Sequence, residues 1–162
     1  MLKEVLIADF KAESAITKKL LDRMPESQLD FKPHEKSASI VRLASHIAAL
    51  PQFIPIMLNS DELNFAGFKS ALTPPQTKSE VLENFKMMEQ KSLEALEATT
   101  DEKLLGKFKV AFGEHVLSEK NRFNEIQSMF RHITHHRGQF SVYLRLCNIP
   151  LPNMYGPTAD ER

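Results

Sequence analysis

The sequence predicts an all-α protein, a single bundle of four helices joined by long connections. Three observations lead there. Apolar residues recur at spacings of three to four over long segments, the period of a helix with one buried face. Glycine is scarce, five in 162 residues, and there is no Gly-rich loop, internal repeat or low-complexity tract. The length, taken as one domain over 1–162, is enough to bury a core without disulfide or metal staples.

The first helix is expected over 2–24, ending before Pro25, with Leu2, Leu6, Asp9, Glu13, Ile16 and Leu20 along one stripe. The second is expected over 38–58, with Ser39, Leu43, His46, Leu50, Phe53 and Met57 facing one way. Pro51 and Pro55 fall inside it, and each removes an amide donor and crowds the preceding turn. A kink or restart near Ala49 to Pro51 is therefore expected rather than a straight rod. Residues 59–76 read as a connection. Thr77 and Glu80 then have the spacing of a capping box, so the third helix begins at about 78 and runs to about 98. Residues 99–118 read as irregular, with a short extended piece over 107–117. The fourth helix is expected over 119–147, where Asn148 can take the left-handed stop position and Pro150 prevents continuation. The tail, 149–162, carries three prolines and reads as extended. Connections of this length are too long for simple hairpins, so crossovers are expected.

Charge and composition narrow the function. Lys plus Arg and Asp plus Glu are both 21, which leaves no net electrostatic footprint for nucleic acid or an anionic membrane. No apolar run is read as approaching the ~18 residues of a membrane span, and the charged N-terminal stretch lacks a signal-peptide core. A cytoplasmic protein is the expectation. The single cysteine, Cys147, excludes an internal disulfide and cysteine-rich zinc sites, and reads as a small apolar residue at a helix end.

The chemistry-bearing feature is 131-RHITHHRGQF-140, where three of the six histidines fall within five residues. On the fourth helix, Glu125, Met129, His132, His136, Gln139, Tyr143 and Leu146 form a stripe read as facing inward. His132 and His136 therefore stack one turn apart, close enough for both imidazoles to reach one metal ion. Ile133 stands where a zinc protease helix of this spacing carries its catalytic glutamate, so that chemistry is excluded. His135 is turned by ~100° and reads as a flanking residue, and Arg137 reads as pointing away, to solvent or a partner. Given that pair, His46 in 40-IVRLASHIAAL-50 is the best third candidate, ahead of His34 and His115 in polar or irregular segments. Three imidazoles leave metal positions open for water or substrate, as catalytic sites do. Gln139 and Tyr143, further along the same face, are candidates to orient substrate or water. Asp9 and Glu13 are candidates for the outer carboxylates that metal-bound imidazoles often bond. No general base is evident, and the catalytic residues stay unassigned.

Taken together, 43-LASHIAAL-50, 132-HITHHRGQ-139 and the closing 147-CNIPLPNMYGPTADE-161 resemble the DinB/YfiT-like metalloenzyme family, in an order that spans the chain. The resemblance implies an up-down-down-up four-helix bundle, often a homodimer. It implies a divalent metal, typically nickel or zinc, on His46, His132 and His136. Family members are described as DNA-damage-inducible proteins, metal-dependent hydrolases, or S-transferases using a low-molecular-weight thiol. The expectation is thus a metal-dependent transferase or hydrolase acting on a small molecule. The alternative is a non-catalytic bundle in which the metal pins two helices. Asn148 stands where the family commonly has glycine, and prolines interrupt the second helix after His46; neither removes a ligand.

Overall fold

Each long helix begins and ends where side-chain chemistry allows it. In the computed structural model, which describes residues 1–70 and 72–161, α1 spans Leu2–Leu21. Single turns follow it, so Met24 is buried without being helical. The predicted second helix is two, α2 (Ile40–Ala49) and α3 (Phe53–Asn59), joined by a 3₁₀ turn at Leu50–Gln52. The restart falls at Pro51 as expected. Pro55 costs α3 nothing, because its missing donor lies in the first turn, where amides have no helical partner.

α4 (Lys78–Ala98) opens on the predicted capping box: the Glu80 amide donates to Thr77 Oγ1 at 3.2 Å, and the Thr77 amide donates to Glu80 Oε2 at 3.3 Å. α5 is one short helix, Asp101–Leu105. α6 (Arg122–Leu146) is capped by Asn121, which accepts from the Asn124 amide at 2.9 Å. It ends where Asn148 takes a φ of 57°, the left-handed stop expected of it. Ala71, inside the predicted connection, and Arg162, at the end of the predicted tail, lie outside the described residues.

The all-α expectation needs correction. A three-stranded sheet is present, ordered β1 (Glu62–Asn64), β2 (Lys107–Phe112) and β3 (His115–Asn121). β1 runs parallel to β2, and β2 and β3 form an antiparallel hairpin. Its turn contains Gly113 at φ +60°, held from the side by Asn64, whose Oδ1 accepts the Gly113 amide at 2.9 Å. Within β2, Phe108 and Ala111 are covered while Lys107 and Phe112 face out. The segment 107–121 is thus strand, and α6 starts at Arg122 rather than 119. Arg122 joins the two parts. It is buried, and donates to Met57 O at 2.8 Å, Lys107 O at 2.7 Å and Ser60 O at 2.9 Å.

Contacts along the helices give their directions. α1 meets α6 in step, Asp9 with Gln127 and Glu13 with Arg137. α2–α3 meets α6 in reverse, His46 with His136 and Met57 with Arg122. The start of α1 bonds to Asp101, just beyond the end of α4, so α1 and α4 oppose. The order is therefore up-down-down-up, with α1 and α2–α3 each packed against both α4 and α6.

The covered residues of α6 are Arg122, Glu125, Ile126, Met129, Phe130, Ile133, Arg137, Phe140, Tyr143 and Leu144. Of the stripe expected to face inward, Glu125, Met129 and Tyr143 are covered, whereas its middle, His132, His136 and Gln139, and its end, Leu146, are not. His132 and Gln139 are exposed and His136 half-buried, so the histidine stripe lies at the rim facing α2 rather than in the core.

The segment Ile40–Asn59 also departs from expectation. Its mean hydropathy of 1.4 gives it the length and composition of a membrane span. Most of it is buried in the bundle, including Ile40, Ala44, Ile47 and Ile54, which is how a central helix of a packed core reads.

Candidate metal centre

α2 and α6 cross with their polar rims facing, and this crossing gathers His46, His132 and His136. One ring nitrogen from each lies within 4.8 Å of the other two. His136 Nε2 is central, 3.1 Å from His46 Nε2 and 2.8 Å from His132 Nε2. The rings pack edge to face, His46 and His136 with centroids 4.5 Å apart.

The proton positions follow from Gln139. Its Oε1 lies 2.8 Å from His136 Nδ1, and an amide oxygen only accepts, so Nδ1 carries the proton. In the neutral ring Nε2 is then a bare lone pair. Both other rings approach that lone pair, yet it can accept only one good hydrogen bond. The remaining close pair sets nitrogen against nitrogen with nothing between. Crowding among the rings, chiefly through desolvation and then the charges of His136 and His132, pushes His46 down to about 4. His132 is also lowered, first by desolvation and then by His136 and His135. Converging imidazole nitrogens, with His46 and His132 held below the usual histidine range, are a donor set for a divalent cation. Nitrogens bound at ~2.0–2.1 Å with angles of ~90–109° stand ~2.9–3.4 Å apart, close to the two separations at His136 Nε2. The residues fit a metal ion.

His135 is exposed and outside the group of three, the flanking position expected of it, but it contacts Gln139. Gln139 Nε2 donates to His135 Nε2 at 3.0 Å, so the amide is clamped between the two histidines and its orientation is set. Tyr143 is a core aromatic, edge-on to Phe31 at 6.4 Å, that also borders the hollow beside His46 and His136. Asp9 is exposed and accepts from Gln127 at 3.3 Å, away from the histidines. His34 and His115 are likewise exposed and apart. Among the described residues the group holds no carboxylate or thiol.

Glu13 is used, but not by the histidines. It pairs with Arg137, which is buried at 2 % exposure rather than facing solvent as expected. Arg137 donates to Glu13 O at 2.8 Å, to Thr17 Oγ1 at 3.2 Å and to Thr134 Oγ1 at 3.0 Å, and contacts the Tyr155 hydroxyl. Tyr155 in turn donates to Glu13 Oε2 at 2.8 Å, and its ring lies 5.5 Å from the Arg137 guanidinium carbon. The cluster ties α1, α6 and the C-terminal tail together one residue from His136. Cys147 is a buried free thiol, pushed up by desolvation, as its apolar reading predicted.

The model of the DinB family matches residues 1–162. The chain belongs to the DinB family. It is 22 % identical to the uncharacterized protein YrdA of Bacillus subtilis over 163 residues, covering 96 % of this chain and 89 % of YrdA. A DinB-like protein from Bacillus cereus superposes with a TM-score of 0.75 at 23 % identity, covering 94 % of this DinB chain and 97 % of the other. YfiT from Bacillus subtilis, described as a probable metal-dependent hydrolase with an unusual four-helix bundle topology, gives 0.67 at 16 % identity, with 90 % and 87 % covered. These likenesses agree with the bundle found in the DinB chain.

Proposed function

We propose that this DinB-family protein binds one divalent metal ion on His46, His132 and His136 and uses it on a small-molecule substrate. The reaction is a hydrolysis or a thiol-dependent transfer, nickel or zinc being the expected occupants. The carrying observation is the convergence of three imidazole nitrogens beside a hollow of about 590 Å³, with no fourth protein ligand among the described residues. YfiT's description as a metal-dependent hydrolase agrees with it. When bound, such an ion supplies Lewis-acid polarisation and eases deprotonation of a water or thiol.

The chain's own residues do the rest. His136 Nδ1–H donates to Gln139 Oε1, so the Nε2 lone pair is left to bind a metal. His46, one helix away, closes the donor set and fixes the α2–α6 crossing. Arg137, Glu13 and Tyr155 hold the back of α6 so that His132 and His136 keep their azimuth. Tyr143 and Gln139 border the hollow in which substrate would lie.

A structural pin is the second reading, favoured by the lack of a carboxylate in the group, which leaves no evident general base. Elemental analysis of protein purified without a nickel column tests the metal. About one equivalent is expected, and no bound metal with none taken up on titration refutes it. Screening the loaded protein against thiols with electrophiles, and against esters and amides, separates enzyme from pin.

A further inference from the structure

The hollow beside the histidines carries one formal charge. Its walls include Ser37, Arg42, His46, His136, Gln139 and Tyr143, and no carboxylate. Arg42 sits four residues before His46 on α2, so the two side chains rise from one face with Cβ atoms ~6 Å apart. Arg42 is exposed, and no ion pair or side-chain hydrogen bond among the described residues uses it. The other arginines show what this fold does with guanidinium groups. Among the described residues Arg23, Arg122, Arg137 and Arg145 have carboxylate partners and Arg131 donates to Ser128 Oγ at 3.1 Å, whereas Arg42 has neither. On its far side Arg42 borders a second hollow of about 520 Å³ that includes Asp30, yet no ion pair joins them.

A guanidinium presents a planar fork of N–H donors that matches a carboxylate or phosphate edge in two bonds. Placed on the wall of a cavity that also exposes two imidazoles, it faces whatever enters. A volume of about 590 Å³ is that of a small-molecule site. We propose that the hollow takes substrates bearing an anionic group, carboxylate or phosphate, which Arg42 anchors about one helical turn from the histidine nitrogens. The placement of the reacting end rests on the metal reading above; the anion subsite does not. Arg42 is then a specificity-determining residue, since a neutral or cationic end group would leave its charge uncompensated.

Cobalt(II)-loaded protein titrated with 3-mercaptopropionate and with 3-mercapto-1-propanol tests the idea on two thiols of matched length. Near-ultraviolet charge-transfer absorption reads thiolate binding. The carboxylate should bind roughly tenfold more tightly than the alcohol. Arg42→Gln should abolish that preference by weakening the carboxylate alone. An unchanged preference in the variant overturns the proposal. In parallel, metal-free protein is titrated with propionate and with inorganic phosphate, following the Arg42 Nε and Val142 methyl resonances. Shifts at both groups in the wild type, with no Val142 shift in Arg42→Gln, support the subsite, and the anion that responds identifies the group. No response to either anion, or the same Val142 response in the variant, overturns it. Because this arm needs no metal, a protein that takes up no cobalt removes the metal reading while these titrations still decide Arg42.

Discussion

Gln139→Ala should weaken metal binding without touching a ligand. The amide oxygen is the acceptor for His136 Nδ1 at 2.8 Å, and that bond keeps Nε2 unprotonated and the ring aimed at His46 and His132. Removing such an outer partner costs ~10–100-fold in affinity, or ~1.4–2.7 kcal/mol. The exposure of Gln139 lets water replace the lost acceptor, so the lower half of that range is expected. His135 acts only through the amide, by accepting from Gln139 Nε2 at 3.0 Å. Losing one partly solvated hydrogen bond is worth ~0.5–1 kcal/mol, so His135→Ala should cost about two- to fivefold. His132→Ala removes a donor nitrogen outright and should cost far more than either. Gln139→Glu keeps an acceptor for Nδ1, now charged, and should match or exceed the wild type. Competition against a chromophoric chelator measures all four variants at one pH. If Gln139→Ala binds like the wild type, or His135→Ala loses as much as His132→Ala, the assignment of the three roles is wrong.

Breaking the Arg137–Glu13 pair should destabilise strongly because Arg137 is buried. Arg137→Met is expected to cost ~2–4 kcal/mol, less than a fully buried pair because Glu13 retains Tyr155 and some water. That lowers Tm by roughly 5–15 °C for a chain of this size, whereas Arg137→Met with Glu13→Gln together should recover part of the loss in a double-mutant cycle. Metal-free protein should lose stability as pH falls from 6.5 to about 4, the interval between the ordinary value of His46 and its depressed one. In that window the unfolded chain takes up a proton that the folded chain refuses, so the urea midpoint should fall, and His46→Ala should flatten the slope. Arg122→Ala unties three backbone carbonyls of α3, its exit and β2, and should cost ~2–3 kcal/mol. Amide exchange in the β2–β3 hairpin should accelerate more than in α4.

The bundle was legible because its signals are local. Proline at 51 broke the second helix where steric rules say it must, and Thr77 with Glu80 and Asn148 marked a start and a stop that the backbone uses. The extended piece expected over 107–117 covers β2 and the start of β3, but β1, the length of β3 and the pairing of the three were not legible, for the opposite reason. β1 is three residues long and pairs with a segment more than forty residues away, so no window contains both partners. β3 is largely exposed on both faces and lacks the alternation that announces a strand. In the candidate site, helical spacing picked out His132 and His136, but the conjunction with His46 drew on the family resemblance as well. Tyr155 could not be found from spacing, since it enters from a proline-rich tail. Arg137 was misplaced because a charged residue was read as a surface residue, although its position continues the apolar series Ile126, Phe130, Ile133, Phe140 and Leu144.

The one-residue step from His136 to Arg137 on α6 explains why two polar groups that ought to conflict can be neighbours. His136 belongs to the rim that meets α2, and Arg137 to the face that meets α1, ~100° away. A divalent ion next to a buried, unpaired guanidinium would be repelled, with no solvent to screen the two charges as it does at the exposed Arg42. Glu13 supplies the opposite charge on the α1 side, and Thr17, Thr134 and Tyr155 take terminal N–H groups of Arg137, the Tyr155 ring lying against it, while Nε is left without a partner. The guanidinium is thereby neutralised locally and turned from the histidines, while its bonds fix the rotation of α6 about its own axis. Rotation is the coordinate that matters: two imidazoles one turn apart reach a common ion only while their shared face points at His46. The buried charge pair and the exposed histidines are thus one device read from two sides, the first holding the angle at which the second can act.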